Sequence, residues 1–216
     1  MTSLEQFRNW IESIERRFKR RALMGGAAAV TGAALGATLA GVWWANRYAF
    51  SDQSLLWARM GVFLAIALAV TFAIAVPLVR ASRRGVAKEA ERRDAGFNER
   101  VLTLVESPEG NPFHEIVADE AMRTAAEWPP ERFVPGLTLA GFGAAAVAAL
   151  GVLIWLTSAA PGALGYGSAL LWRGAPPTTE AFYRIEVAPG DRKVRKGSDQ
   201  IVEARLIGFD APQVRL

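Results

Sequence analysis

The only histidine stands in the group of side chains best suited to bind a metal. His114 is followed by Glu115 and, about one helical turn later, by Asp119 and Glu120. Imidazole and carboxylate groups are common metal ligands, but the chain has neither a second histidine nor a cysteine to complete a transition-metal site. This spacing is more typical of a solvated helix face, and we predict no metal centre.

Two glycine groups match the letters of ligand-binding motifs. Residues 141–146 (GFGAAA) fit a dinucleotide fingerprint, which also requires a strand before the glycines and a soluble crossover helix after them. Residues 165–167 (GYG) fit part of a potassium filter, but the two residues before them are Ala and Leu instead of Thr and Val. We therefore predict neither a nucleotide cofactor nor an ion filter.

The remaining residues offer little further chemistry. Residues 192–196 (RKVRK) could contact phosphate headgroups or an anionic polymer, although a charged hairpin edge explains them more simply. The absence of cysteine excludes disulfides, thiolate metal sites, a cysteine nucleophile and lipid attachment through cysteine. No nucleophile, base and orienting group form a credible set. We predict no catalytic, cofactor-binding or metal residues, and no enzymatic activity.

Three apolar blocks dominate the elements that must position these residues. Hydrophobic residues make up 51% of the chain and are concentrated in residues 22–45, 60–79 and 134–158, termed spans one, two and three. Each could cross a hydrocarbon core of about 30 Å as a helix. The first is too long for a signal peptide, so we predict that it is retained. Because the spans contain no ionisable residue, they do not suit a transporter, proton relay or intramembrane protease.

Basic residues beside the spans predict a cytoplasmic N-terminus and an exported C-terminus. Lys and Arg near span ends stay on the cytoplasmic side during insertion. On the opposite face only Arg47, Arg59 and Arg173 lie near a span. Thirteen Lys and Arg residues near span ends would lie on the same side of the membrane as the N-terminus: Arg16, Arg17, Lys19, Arg20, Arg21, Arg80, Arg83, Arg84, Lys88, Arg92, Arg93, Arg123 and Arg132.

Residues 1–21 are predicted to form a cytoplasmic amphipathic helix. Ser3 and Gln6 could form a capping box. The apolar stripe could lie along the inner headgroups or pack on neighbouring cytoplasmic helices, and both alternatives use the same face. The stripe consists of Leu4, Phe7, Ile11, Ile14 and Phe18. The aromatic residues predicted at the membrane interface are Phe7, Trp10, Phe18, Trp43 and Trp44.

The segments between the spans differ in size. A short external loop, residues 46–59, is predicted to join spans one and two as an antiparallel pair. Residues 80–133 are predicted to form a cytoplasmic helical hairpin, with helices at 80–106 and 113–128 and a turn at 107–112. The nine basic and eleven acidic residues of this hairpin nearly balance, so we predict no nucleic-acid partner.

Small residues recur every four positions in two of the spans. This spacing allows helices to approach closely in a membrane and predicts helix packing there. The residues are Gly32, Gly36 and Ala40 in span one, and Gly136, Ala140, Ala144 and Ala148 in span three.

The C-terminal part changes from helical to β-type patterning. Residues 159–182 form an external linker, and residues 183–216 alternate around a turn at Pro189–Asp191, which predicts the start of a β-sandwich. Two or three strands cannot close a sandwich. We therefore expect that the chain is the N-terminal part of a longer protein, or that a partner supplies the missing strands.

Three short stretches carry a family resemblance: residues 99–106 (ERVLTLVE), residues 165–172 (GYGSALLW), and residues 187–191 (VAPGD) with 194–197 (VRKG). In these the chain resembles an uncharacterised family of large bacterial inner-membrane proteins that carries a domain of unknown function. The resemblance implies paired N-terminal spans, a cytoplasmic helical insert, a third span and an exported Ig-like region. It implies no catalytic role.

The expected fold is a membrane all-α protein, with three transmembrane helices and a cytoplasmic helical hairpin, followed by the start of a β-sandwich. The expected function is a multi-pass anchor or scaffold that presents the β-module at the bacterial cell envelope. The alternative is a non-catalytic subunit of an envelope export or remodelling complex. The expected partners are the lipid bilayer and a membrane or envelope protein, without a cofactor.

Overall fold

The computed structural model describes residues 2–106, 113–174, 182–188, 193, 195 and 201–208. Helices account for 79% of these residues, and three of the helices are long and apolar enough to cross a membrane. The chain divides into two compact units. The first comprises Met1–Ala37 and Gly61–Ile154, and the second comprises Thr38–Met60 and Trp155–Leu216.

The helices and strands keep the predicted order of spans, polar helices and β-structure. The three helices able to span a membrane are Ser3–Arg47, Asp52–Arg80 and Gly136–Ser158. In chain order the elements are α1 (Ser3–Arg47), α2 (Asp52–Val70), a π-helical turn (Thr71–Ala75), α3 (Val76–Arg80), α4 (Arg83–Arg93), a 3-10 turn (Ala95–Phe97), α5 (Arg100–Glu106), α6 (His114–Ala125), α7 (Pro130–Phe133), α8 (Gly136–Ser158), α9 (Gly162–Arg173), β1 (Arg184–Ala188) and β2 (Glu203–Ile207).

Helix α1 continues without a break from the amphipathic segment into span one. The N–H of Glu5 donates to Thr2 Oγ1 (3.3 Å) and the N–H of Thr2 donates to Glu5 Oε2 (3.1 Å). This reciprocal cap lies one residue before the predicted Ser3 and Gln6 pair. At about 1.5 Å per residue, the part of α1 before span one rises by about 28 Å. It cannot lie along the headgroups while its own continuation crosses the bilayer.

The apolar stripe of α1 is buried in a protein core. Phe7, Trp10 and Ile14 are 3%, 8% and 0% exposed, and Phe18 is partly buried against the same cluster. The interfacial placement predicted for Phe7 and Trp10 is therefore wrong, because neither ring retains a surface for lipid. The structure favours the alternative, packing on the polar helices. The other buried members of this cluster are Ile11, Val86, Ala87, Ala90, Phe97, Val101, Leu104, Ala118, Ala121, Ala125, Phe133 and Val134.

The predicted helix at 80–106 is broken into α4 and α5 by a side chain that caps α5. The carboxylate of Glu91 accepts hydrogen bonds from the N–H groups of Glu99 (2.8 Å) and Val101 (2.9 Å). The first N–H groups of a helix have no partner inside that helix, so Glu91 stabilises the start of α5. The turn predicted at 107–112 lies outside the described residues.

The connection between spans one and two is shorter than predicted. Residues 48–51 separate α1 from α2, whereas the loop was predicted over residues 46–59. Helix α2 begins at Asp52, and Ser51 Oγ accepts the N–H of Ser54 (3.4 Å). Trp43 and Trp44, at the end of α1, are 70% and 46% exposed, and their place at the membrane interface stays a prediction.

Pro77 explains the π-helical turn inside span two. Proline has no N–H to donate to the carbonyl of Ala73, four residues earlier, and its ring crowds that carbonyl. The helix accommodates the proline by widening, and the N–H of Val76 donates to the carbonyl of Thr71, five residues earlier.

Spans one and two approach closely at a glycine that the spacing did not single out. A Cβ on Gly26 would lie 2.3 Å from Ile74 Cγ1 and 2.8 Å from the Ala73 carbonyl oxygen. In contrast, a Cβ on Gly32 would meet no atom within 4 Å. The predicted packing residues are all exposed within this chain: Gly32, Gly36, Ala40, Gly136, Ala140, Ala144 and Ala148. Their role in helix packing stays a prediction.

The segment predicted as an external linker, residues 159–182, contains helix α9. This helix buries one face in the second unit, including Leu170 and Leu171. Strands β1 and β2 pair antiparallel, with Arg184 opposite Ile207 and Ala188 opposite Glu203. Within the described residues this sheet has two strands, and the turn predicted at Pro189–Asp191 lies outside them.

The substitution Ile14→Ala tests whether the stripe of α1 is core. Removing a fully buried isoleucine should lower the free energy of unfolding by about 2–5 kcal/mol. The matched control is Ile116→Ala, because the Ile116 side chain is 67% exposed, and it should change stability by less than about 0.5 kcal/mol. Thermal unfolding in detergent, followed by circular dichroism, measures both. Equal midpoints for the two variants would contradict the buried assignment.

Alanine substitutions at two glycines test the contact between spans one and two. Gly26→Ala should destabilise the protein by about 1–3 kcal/mol, because its methyl group overlaps atoms of span two. Gly32→Ala enters open space and should be neutral or stabilising by up to about 1 kcal/mol. The unfolding temperatures in detergent provide the comparison. A Gly32→Ala variant less stable than Gly26→Ala would show that the spans pack through the other face.

Candidate functional site

Four aromatic rings form a cluster in the second unit where the helical part of the chain meets the β-part. Phe50 lies in the short connection between α1 and α2, Tyr166 lies on α9, and Phe182 and Tyr183 directly precede β1. The ring centroids are 5.3 Å apart for Phe50 and Tyr166, and 6.0 Å apart for Phe50 and Tyr183, which stack at 16°. We call these four residues the aromatic cluster.

The backbone of the α1–α2 connection brings Phe50 into this cluster. Ala49 and Phe50 have φ values of 50° and 55°, and the N–H of Phe50 donates to the carbonyl of Ala45 at 2.8 Å. This tight turn buries the Phe50 side chain to 8% exposure. On the other side, a Cβ on Gly167 would lie 2.7 Å from Phe50 Cε1 and 2.8 Å from Val42 Cγ1. Only glycine lets α9 approach so closely.

Polar contacts hold α9 beside the ends of α1 and α2. Arg59 Nη2 donates to the carbonyl of Leu170 (2.7 Å), which places a cation at the C-terminal end of α9, where the helix dipole is negative. Trp172 Nε1 donates to Thr38 Oγ1 (3.0 Å). Helix α9 is thereby fixed at both its backbone end and its largest side chain.

The aromatic cluster also fixes the start of the β-part. Tyr183 Oη donates to Asn46 Oδ1 (2.5 Å), and β1 begins at the next residue, Arg184. The strands themselves are open: Ile185 and Val187 are 53% and 51% exposed. An isolated two-stranded hairpin is marginally stable at best, so this sheet gains its fixed position from the contacts at Tyr183.

Comparisons with protein-family models, with curated proteins and with solved structures found no match. The assignment of a site therefore depends on the geometry of this chain.

The histidine and carboxylate group and residues 141–146 lie in the first unit. The prediction that His114 lies on a solvated helix face is wrong, because its side chain is only 8% exposed. Its neighbour Glu115 accepts the N–H of Ser3 (2.8 Å). Asp119 accepts from Arg123 Nη2 (3.0 Å). Residues 141–146 lie inside α8, without the strand and turn that a dinucleotide site requires. The described residues contain no group of three or more potential metal ligands.

The first unit also contains a cavity of about 860 Å³ beside the ends of spans one and two. One part of its wall is apolar or small and comes from the spans: Ala22, Gly25, Gly26, Ala73, Pro77 and Phe142. The other part is basic and comes from the span ends and α4: Arg21, Arg80, Arg84, Lys88 and Arg92. The sequence predicted these cations as topology signals but did not indicate that they share a cavity.

An acidic side chain near this helical region is stabilised in its charged form. The N–H of Gly96 and the indole N–H of Trp128 both donate to Asp94 (2.8 Å each), and these hydrogen bonds lower the pKa of Asp94 below its ordinary value of 3.8. Because the folded-state pKa is lowered, the contribution to stability is present above pH 3.8 and is lost as the pH falls through the lower value. The contact of Asp94 with Trp128 is therefore maintained at neutral pH.

Loss of Phe50 should loosen the β-part. A spin label on Val187→Cys reports motion of β1, and the cysteine-free chain permits a single label. Phe50→Ala should increase the mobility of the label, because the Phe50 ring contacts the other three rings of the cluster, Tyr166, Phe182 and Tyr183. Trp57→Ala, which removes a ring that is 58% exposed, should leave the spectrum unchanged. Electron paramagnetic resonance in detergent provides the readout, and identical spectra for the two variants would contradict the role of the cluster.

Proposed function

We propose that this chain is a non-catalytic membrane anchor that presents an exported, Ig-like β-module at a fixed position on the bacterial cell envelope. The observation that carries this proposal is the aromatic cluster. Tyr183 stacks on Phe50 and donates to Asn46, immediately before β1 begins. A flexible tether would not need these contacts, whereas an anchor that sets the orientation of the next domain would.

The membrane part supports this role. Three helices are long and apolar enough to cross a membrane, and exposed residues such as Phe72 (66%) and Leu137 (86%) require an apolar surrounding. The distribution of Lys and Arg supports a cytoplasmic N-terminus and an exported β-part in a bacterial inner membrane. The resemblance to the family of bacterial inner-membrane proteins with an exported Ig-like region fits the same proposal.

The exposed small-residue faces favour a second candidate function. Residues of the Gly32, Gly36 and Ala40 face are exposed within the chain and would allow a helix of another membrane protein to approach closely. The chain would then be a non-catalytic subunit of an envelope export or remodelling complex. Purification in mild detergent distinguishes the two: stoichiometric membrane subunits that are lost in Gly36→Leu would favour the complex over the independent anchor.

Single cysteines test the orientation that the anchor requires. Ser51→Cys, Ile116→Cys and Ile201→Cys each place a thiol at an exposed position of the cysteine-free chain. A membrane-impermeant maleimide should label Ser51→Cys and Ile201→Cys in intact cells, because both would lie outside. It should label Ile116→Cys only after permeabilisation.

Labelling after permeabilisation controls for thiols that are sterically protected. Labelling of Ile116→Cys in intact cells would place the helices α4 to α6 outside and reject the anchor topology. Protection of Ile201→Cys together with labelling of Ser51→Cys would mean that the third span does not cross, and the exported module would be rejected.

A further inference from the structure

We propose that the cavity in the first unit binds one anionic phospholipid of the surrounding leaflet, with its phosphate on Arg21, Arg80 and Lys88 and its acyl chains toward the apolar wall. Basic pockets between transmembrane helices are suited to anionic headgroups. This cavity combines such a basic part with an apolar part formed by the spans themselves. It therefore matches the two chemical parts of a phospholipid.

The positive charge of the cavity exceeds what its neighbouring carboxylates neutralise. Arg84 pairs with Glu106 (2.6 Å), and Arg92 lies 3.8 Å from Glu89, which also bonds Arg93. Glu89 is the acidic side chain among the described lining residues. Arg21, Arg80 and Lys88 form no ion pair with a described carboxylate, and these three cations line one cavity. Mutual repulsion among them favours an anion between them.

The apolar wall argues for a lipid over a free anion. Gly25 and Ala73 are small residues that leave the apolar part of the cavity unfilled, and Phe142 supplies an aromatic face. A phosphate ion alone would leave this surface without a partner. The volume of about 860 Å³ lies in the range of small-molecule sites, about 300–1,000 Å³, and suits a headgroup with the first part of its acyl chains.

The helix geometry keeps the two parts of the cavity together. The π-helical turn brings Ala73 against Gly26, while α3 ends at Arg80 and α4 turns back so that Lys88 faces the same space. Arg84 lies in the first turn of α4, and the positive end of that helix dipole adds to the potential there.

The full chain in detergent, titrated with phosphatidylglycerol and followed by native mass spectrometry, tests this site. We expect one tightly bound phosphatidylglycerol, and binding of phosphatidylcholine with the same chains that is weaker by at least about tenfold. Inorganic phosphate and glycerol 3-phosphate should not compete at similar concentrations. Equal binding of the two lipids would overturn the proposal, and effective competition by inorganic phosphate would mean a simple anion site.

The triple variant R21Q/R80Q/K88Q removes the proposed phosphate contacts. At about fivefold per cation, it should weaken phosphatidylglycerol binding by about a hundredfold. The matched control is R16Q/R20Q/R83Q, which removes the same charge from residues that do not line the cavity and should weaken binding by less than about fivefold. Equal losses in the two triple variants would reject a specific site in favour of general surface attraction.

A variant that fills the cavity without changing its charge separates the two parts of the site. A Cβ on Gly25 would lie 3.7 Å from Phe142, so Gly25→Leu should occupy the space for the acyl chains and weaken phosphatidylglycerol binding while all cations remain. Unchanged binding in this variant, with an unchanged circular dichroism spectrum, would overturn the proposed lipid position. The lipid titration in detergent does not depend on membrane orientation. A negative titration would therefore reject the lipid site alone, whereas a negative cysteine mapping would reject the anchor topology alone.

Discussion

The continuity of α1 is the constraint on which the first unit depends. One helix supplies both span one and the stripe of Phe7, Trp10 and Ile14, so the position of the stripe follows directly from the position of the span. The polar helices pack on this stripe, and Trp10 Nε1 donates to the carbonyl of Trp128 (3.1 Å), which fixes the chain shortly before α8. Burial of large aromatic and aliphatic side chains there supplies the main stabilising contribution.

The second unit solves a different problem, because it must join helices to strands. On the helical side the contacts are local, because the backbone turn at Ala49 and Phe50 positions the Phe50 ring. On the β side the contact is long-range, since Tyr183 is distant from Phe50 in the sequence and stacks on its ring. Glycine at position 167 allows the approach of α9, and the rings fill the remaining space. The result is a fixed start for a sheet that has little stability of its own.

The sequence was informative where one physical requirement acts alone. Long apolar blocks without charge are typical of membrane spans, so the three helices able to span a membrane were predictable from composition. The break between α4 and α5 was not predictable, because the Glu91 carboxylate that caps α5 accepts from N–H groups eight to eleven residues away. Helix α9 was not predicted because its three glycines lower helix propensity. Its helical structure depends on tertiary contacts of its buried face, which the sequence alone does not show. Spacing alone could not tell that Gly26, and not Gly32, meets span two.

Pro77 gives span two a sensitivity that ordinary helices lack. Each residue of an α-helix turns the chain by about 100°, and the π-helical turn accommodates one extra residue within the helix. Every side chain after Ala75 is therefore rotated relative to the earlier part of the span. Replacement of the proline would allow the helix to rewind and would carry Arg80 to another side, although the span would keep its length and hydrophobicity.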